Sequence, residues 1–136
     1  RSKCLNGEWL FMPLYGTESD NCFIEAPNFE DEKIRVPSSF KWKVNNSINY
    51  EPFDVFRYPE KWNDADCGVI SREIYVEAGE RERVFLIFKG VLQKWKVYIN
   101  NKLIYESNEG FLTTELEVTE HVINNAANSL KVCLLI

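Results

Sequence analysis

The stretch Arg83 to Phe111, RVFLIFKGVLQKWKVYINNKLIYESNEGF, limits most tightly what this chain can become. Val84 to Phe88 is an unbroken apolar run of strand length, rich in aromatic and branched residues. Such a run predicts a strand covered on both faces. Lys89-Gly90 breaks it. Lys94 to Asn100 then alternates, with Trp95, Val97 and Ile99 on one side and Lys94, Lys96 and Tyr98 on the other. A period of two means a strand with one buried face. Asn100-Asn101 and the strand-like Lys102 to Glu106 follow. Asn tolerates the left-handed backbone that a two-residue hairpin demands, less readily than Gly. The reading is a buried strand, a crossing loop and a tight hairpin, against which the other strands pack.

The rest of the chain supplies those strands. Asn6-Gly7 is a turn signal, and Trp9 to Leu14 reads as a strand ending near Pro13, with Trp9 and Phe11 toward the core. Tyr15 to Asn21 reads as a loop and Cys22 to Ala26 as a short strand. Glu30-Asp31-Glu32 reads as a solvated acidic turn. Ile34 to Val36 stops at Pro37, which bars a central strand and predicts an edge. Val69 to Glu77 alternates, with Ile70, Arg72, Ile74 and Val76 on one face; Ala78-Gly79-Glu80 is a turn. Thr113 to Val118 alternates with Leu116 and Val118 inward. Thr119 is placed to cap a short turn through Ile123. Asn124 to Asn128 reads as a polar loop, and Ser129 to Ile136 as a closing core strand.

Lys41 to Gly68 is irregular. It holds Trp42, Tyr50, Phe53, Phe56, Tyr58 and Trp62 among Asn45, Asn46, Asn49, Pro52, Pro59, Asp64 and Asp66. So long a stretch without periodicity is uncommon in a compact domain, and such loops are often functional. Aromatic faces beside amides and carboxylates suit sugars, whose C–H faces stack on rings while hydroxyls hydrogen-bond. Tyr58 and Trp62 are the candidate sugar-binding residues. The alternative is that the aromatics pin the loop to its own domain or to a neighbour.

Composition excludes several classes. With 136 residues, 45% of them hydrophobic and 14% aromatic, the chain is folded and needs no metal or disulfide to hold a core. A net charge of −5 argues against a nucleic-acid surface. No apolar stretch approaches the ~20 residues of a membrane-spanning helix. The four cysteines, Cys4, Cys22, Cys67 and Cys133, form no C-x-x-C, and the single His121 has no partner spacing for a metal or a catalytic base. Each Cys sits beside apolar residues, which fits buried thiols; disulfides are the alternative. No cofactor, metal or phosphate motif is present.

In order along the chain, Leu5-Asn6-Gly7-Glu8-Trp9-Leu10-Phe11, Val36-Pro37-Ser38-Ser39-Phe40, Val97-Tyr98-Ile99-Asn100-Asn101, Glu109-Gly110-Phe111 and Glu117-Val118-Thr119 resemble the motifs of the N-terminal sugar-binding domain of glycoside hydrolase family 2. That family includes β-glucuronidases, β-galactosidases and β-mannosidases. Asn101 and Glu109 depart from it, standing where Gly is usual. The resemblance implies an all-β fold, an antiparallel jelly-roll β-sandwich of galactose-binding-domain-like type, spanning 1–136 as one domain. In this family both catalytic glutamates lie in a C-terminal (β/α)₈ barrel, which needs about 250 residues. The implied role is therefore non-catalytic: a domain cut from a longer enzyme, as the start without Met and the end in Leu134-Leu135-Ile136 also lead one to expect. It would support the barrel and lend Lys41 to Gly68 to the pocket rim. Its implied partners are that barrel, a second β-sandwich of the same parent and a carbohydrate ligand. An independent carbohydrate-binding module is the competing reading. An asparagine that shapes the pocket in β-galactosidases, shortly before a Tyr-Pro pair, has no counterpart ahead of Tyr58-Pro59.

Overall fold

The computed structural model describes residues 2–16, 27–36, 58–79, 81–89, 94–108 and 113–135. Among the described residues eight strands run in chain order: β1 Gly7–Leu14, β2 Ile34–Val36, β3 Cys67–Val76, β4 Phe85–Lys89, β5 Lys94–Ile99, β6 Lys102–Ser107, β7 Thr113–Glu117 and β8 Ala126–Leu135. One 3₁₀ segment, Glu60–Asp64, precedes β3. The strands form a six-stranded sheet of order β2-β1-β3-β8-β5-β6 and a two-stranded sheet, β4-β7. Every pairing is antiparallel. Among the described residues no helix is long and apolar enough to cross a membrane.

The core lies between the two sheets. The large sheet contributes Phe11, Ile70, Ile74, Trp95, Val97, Ile99, Leu130 and Val132, and the β4-β7 side contributes Leu86 and Val118, with Phe88 and Leu116 packed against them. Trp95 takes Phe88 edge-on, with centroids 4.9 Å apart, and Tyr105 at 5.2 Å. The alternation in β5 therefore reads as expected: Trp95, Val97 and Ile99 are buried. Asn100 and Asn101 have φ of 50° and 66°, the two left-handed positions of a type I′ turn.

The run Val84 to Phe88 departs from expectation. It is not covered on both faces. Leu86 is buried, but Phe85 is 39% and Ile87 57% exposed. β4 pairs only with β7 among the described strands, and the β4-β7 sheet has one face on the core, so alternate residues of an all-apolar run point outward. β1 ends at Leu14, next to Pro13 as expected, with Pro13 paired with Gly68. Among the described residues β2 pairs β1 only over Gly7–Trp9, so none of those rungs needs a proline nitrogen. Thr119 does not cap a following turn. Its Oγ1 accepts the Val84 backbone N–H at 2.9 Å and donates to Glu117 at 3.0 Å, closing the end of the β4-β7 sheet. Ala126 to Asn128 belongs to β8, not to a loop.

Near the N-terminus, the Leu5 carbonyl accepts both the Trp9 indole N–H at 2.8 Å and Arg72 at 2.9 Å, and the Arg72 guanidinium sits 5.9 Å from the Trp9 ring centroid. The L-x-G-x-W string thus works as one unit with an arginine more than sixty residues away. Of the cysteines, Cys4 is exposed, Cys67 is buried and Cys133 is disulfide-bonded. Cys22, and with it the expected strand Cys22 to Ala26, lies outside the described residues, as do Pro37 to Phe40 and Glu109 to Phe111.

Candidate functional site

Tyr58 and Trp62 stand where the irregular segment returns to the sandwich. Residues 41–57 of that segment lie outside the described residues. Trp62 sits in the 3₁₀ segment, whose turn is closed by its N–H donating to the Pro59 carbonyl at 3.0 Å. The ring is 0% exposed. Phe11 packs on it with centroids 4.5 Å apart, and Tyr58 stacks at 5.2 Å with 22° between planes. Tyr58 is 7% exposed. Both rings are thus held inside the domain, Trp62 against β1 and Tyr58.

Their polar ends are tied as well. The Trp62 indole N–H donates to Glu30 Oε1 at 3.2 Å, and Lys61 Nζ reaches the same oxygen at 2.8 Å. The Glu30 N–H donates to the Phe11 carbonyl at 2.8 Å. Glu30 therefore grips β1 with its backbone and the indole with its carboxylate. The hydrogen bond from Lys61 holds the Glu30 carboxyl below its ordinary value, and Glu30 in turn raises the Lys61 ammonium. The Tyr15 hydroxyl donates to the Lys61 carbonyl at 3.1 Å, and burial pushes its pKa up. The Gly16 N–H donates to Asp66 at 2.6 Å and the Asp66 N–H to Leu14 at 2.9 Å, fixing the end of β1 to the start of β3.

Tyr58 makes the last closure. Its hydroxyl oxygen accepts the Arg35 backbone N–H at 2.8 Å. Arg35 is the middle residue of β2, at the sheet edge. The bond occupies a donor that an edge strand otherwise presents outward. It also brings together the two ends of residues 37–57: the segment leaves after Val36 and returns at Tyr58, on a base made of β2, Tyr58, Trp62, Glu30 and Phe11.

The sequence singles out Tyr58 and Trp62 but not Glu30, whose acidic run reads as solvated. The signal was available only in part: an indole and a lysine at 61–62 need an acceptor, but nothing local says it lies thirty residues back. His121 donates its backbone N–H to the Val118 carbonyl at 2.9 Å as part of a turn. Among the described residues no three His, Cys, Asp or Glu side chains converge to hold a metal.

A family description, "Glycosyl hydrolases family 2, sugar binding domain", matches residues 2–136. Solved structures share the fold. A β-glucuronidase of an uncultured Clostridium species is 26% identical with a TM-score of 0.74, over 97% of this chain and 21% of that one. A Ruminococcus gnavus β-glucuronidase is 20% identical with a TM-score of 0.71, over 98% and 20%. The Dictyoglomus thermophilum β-D-glucuronidase is 19% identical with a TM-score of 0.68, over 96% and 19%. The chain thus spans about a fifth of the length of each. With the expected sandwich in place and the match running nearly end to end, the chain belongs to the sugar-binding domain family of the family 2 glycosyl hydrolases.

Proposed function

We propose that this domain is the non-catalytic N-terminal sandwich of a β-glucuronidase-like glycosidase, and that it serves a reaction centre carried elsewhere in the parent enzyme. It buttresses the catalytic barrel and offers Lys41 to Gly68 to the rim of the substrate pocket. Tyr58 and Trp62 take part in sugar recognition from within the core, by fixing where that segment leaves and returns. The observation that carries this reading is the base of the segment, where the Arg35–Tyr58 hydrogen bond and the Tyr58–Trp62 stack close its two ends on a buried scaffold. The outward Phe85 and Ile87 of β4 supply an apolar face of the kind a neighbouring domain covers.

Chromogenic β-glucuronides and β-galactosides, titrated into the 136-residue chain while tryptophan fluorescence and hydrolysis are followed, test the proposal. No turnover is expected, and binding weaker than about 1 mM, under ~4 kcal/mol. Tight binding by the chain alone points instead to an independent carbohydrate-binding module. Turnover by the chain overturns both. In the parent enzyme, Tyr58→Ala is expected to raise KM more than it lowers kcat.

A further inference from the structure

Asn6-Gly7 opens β1 between two fixed points. On one side the Leu5 carbonyl holds the Trp9 indole N–H at 2.8 Å and Arg72 at 2.9 Å. On the other, Gly7 pairs with Val36 in the first rung to β2. Arg35 turns its N–H away from β1, to the Tyr58 hydroxyl, so its neighbours Ile34 and Val36 make the bonds to β1. The Gly7 nitrogen therefore sits in the end rung of a three-residue strand that is an edge among the described strands. Asn6 is exposed. Gly7 has φ of 131°, a backbone that side chains avoid, and among the described residues nothing lies within 4 Å of where its Cβ would stand. A carboxamide is thus next to a backbone nitrogen that no side chain of its own residue shields.

We propose that Asn6-Gly7 is a self-modification site, at which the chain converts its own asparagine to aspartate and isoaspartate. The deprotonated Gly7 nitrogen attacks Asn6 Cγ. The N–Cγ bond forms as the Cγ–Nδ2 bond breaks, and ammonia leaves with the proton that the nitrogen gave up. The product is a cyclic imide, which solvent water opens. Cleavage at Cγ gives aspartate. Cleavage at the main-chain carbonyl carbon gives isoaspartate, whose main chain runs through Cβ. Water is the only co-reactant and ammonia the only leaving group, so no oxidant or reductant is needed.

The fold gates the step and feels its result. A nitrogen bonded in a rung is not free to attack, so the end rung must open first, and pairings at the end of a short edge strand open most readily. The Tyr58 hydroxyl, by accepting the Arg35 N–H, holds β2 against that opening. Isoaspartate lengthens the main chain between Leu5 and the Gly7–Val36 rung. The Leu5 carbonyl is then displaced from the Trp9 indole and Arg72, which both rely on it. Asn28 is a built-in comparison. It is exposed as well, but Phe29 follows it, and that side chain, packed on the Met12 and Leu14 cluster, crowds the nitrogen that would attack.

Peptide mapping tests this. Cleavage after glutamate puts Asn6 in peptide 1–8 and Asn28 in peptide 26–30, each as the sole asparagine. The folded chain is incubated at pH 7, 8 and 9 and digested under mildly acidic conditions. Mass reads the exchange of NH₂ for OH, and electron-transfer fragmentation separates isoaspartate from aspartate. Peptide 1–8 is expected to convert at least about tenfold faster than 26–30, faster at higher pH, with isoaspartate the main product. Tyr58→Phe is expected to speed conversion of Asn6 and leave Asn28 unchanged. Asn6→Gln is expected to keep peptide 1–8 intact and the thermal midpoint constant, while the unsubstituted chain loses midpoint as isoaspartate accumulates. Conversion of Asn6 no faster than Asn28 in folded protein overturns the proposal. An unchanged rate in Tyr58→Phe overturns the gate, and a midpoint unmoved by full conversion overturns the link to the Leu5 carbonyl.

Discussion

Asn101 shows how one residue can depart from a family pattern without loss. The hairpin position usually holds Gly, because φ of 66° is strained for a side chain. Here the side chain has a use: its Oδ1 accepts Lys131 Nζ at 2.7 Å. Lys131 is buried on β8, and burial lowers its pKa. Asn101→Gly relaxes the turn but removes that acceptor, and a hydrogen bond to a charged group is worth more than the relief, so a net loss of about 1 kcal/mol is expected. In a Lys131→Met background the same change is expected to be neutral or stabilising, and urea denaturation of the four proteins reads the coupling. Asn128 is a second such residue. Fully buried, it accepts from Asn100 Nδ2 and the Ile123 N–H through Oδ1 and donates to the Ile123 and Ala126 carbonyls through Nδ2. Asn128→Ala strands several of these partners and should cost about 3 kcal/mol or more, read as a drop in denaturation midpoint.

At the scale of the element, β4 and the 3₁₀ segment matter most. The run Val84 to Phe88 is uniformly apolar in sequence, yet β4 behaves as a two-faced strand. Leu86→Ala, on the core side, should cost about 2–4 kcal/mol, while Ile87→Lys, on the outward side, should stay within roughly 0.5 kcal/mol in the isolated chain. Equal losses would show that β4 is covered on both sides. The 3₁₀ segment depends on Glu30. Glu30→Ala leaves the Trp62 indole N–H without its acceptor and should cost about 1–2 kcal/mol, whereas Glu30→Gln keeps an oxygen for it and should cost less. Thermal melts of the two variants separate the indole contact from the ion pair with Lys61.

For the whole molecule, the carboxylates set the acid limit. Glu30 and Glu117 are both held below their usual value, first by hydrogen bonds from Lys61 and Arg83 respectively. A depressed carboxyl contributes stability that is complete above its unfolded value of 4.5 and is lost as pH falls through the lower folded value. Stability is therefore expected to be flat near neutrality and to fall below about pH 4.5, with a shallower acid limb in Glu30→Gln. Measuring the denaturation midpoint from pH 7 to pH 3 checks the sign. Much of the architecture was legible beforehand, because a strand writes its period of two into consecutive residues: Trp95, Val97 and Ile99 announce a buried face, and Asn100-Asn101 announces its turn. Exposure of Phe85 and Ile87 was not legible, since an apolar run does not say how many sheets will cover it. Nor was burial of Asn128, which sits among asparagines and alanines that read as a loop.

What the chain order alone determined was local: which segments are strands, where the hairpin turns, and which face of β5 and β3 goes inward. Those features depend on side chains one or two residues apart. Only the folded arrangement decided which polar groups meet. Glu30 finds Trp62 across 32 residues and Cys67 finds Cys133 across 66. Such encounters are fixed by the order of strands in the sheet, and the spacing of residues along the chain carries no record of it.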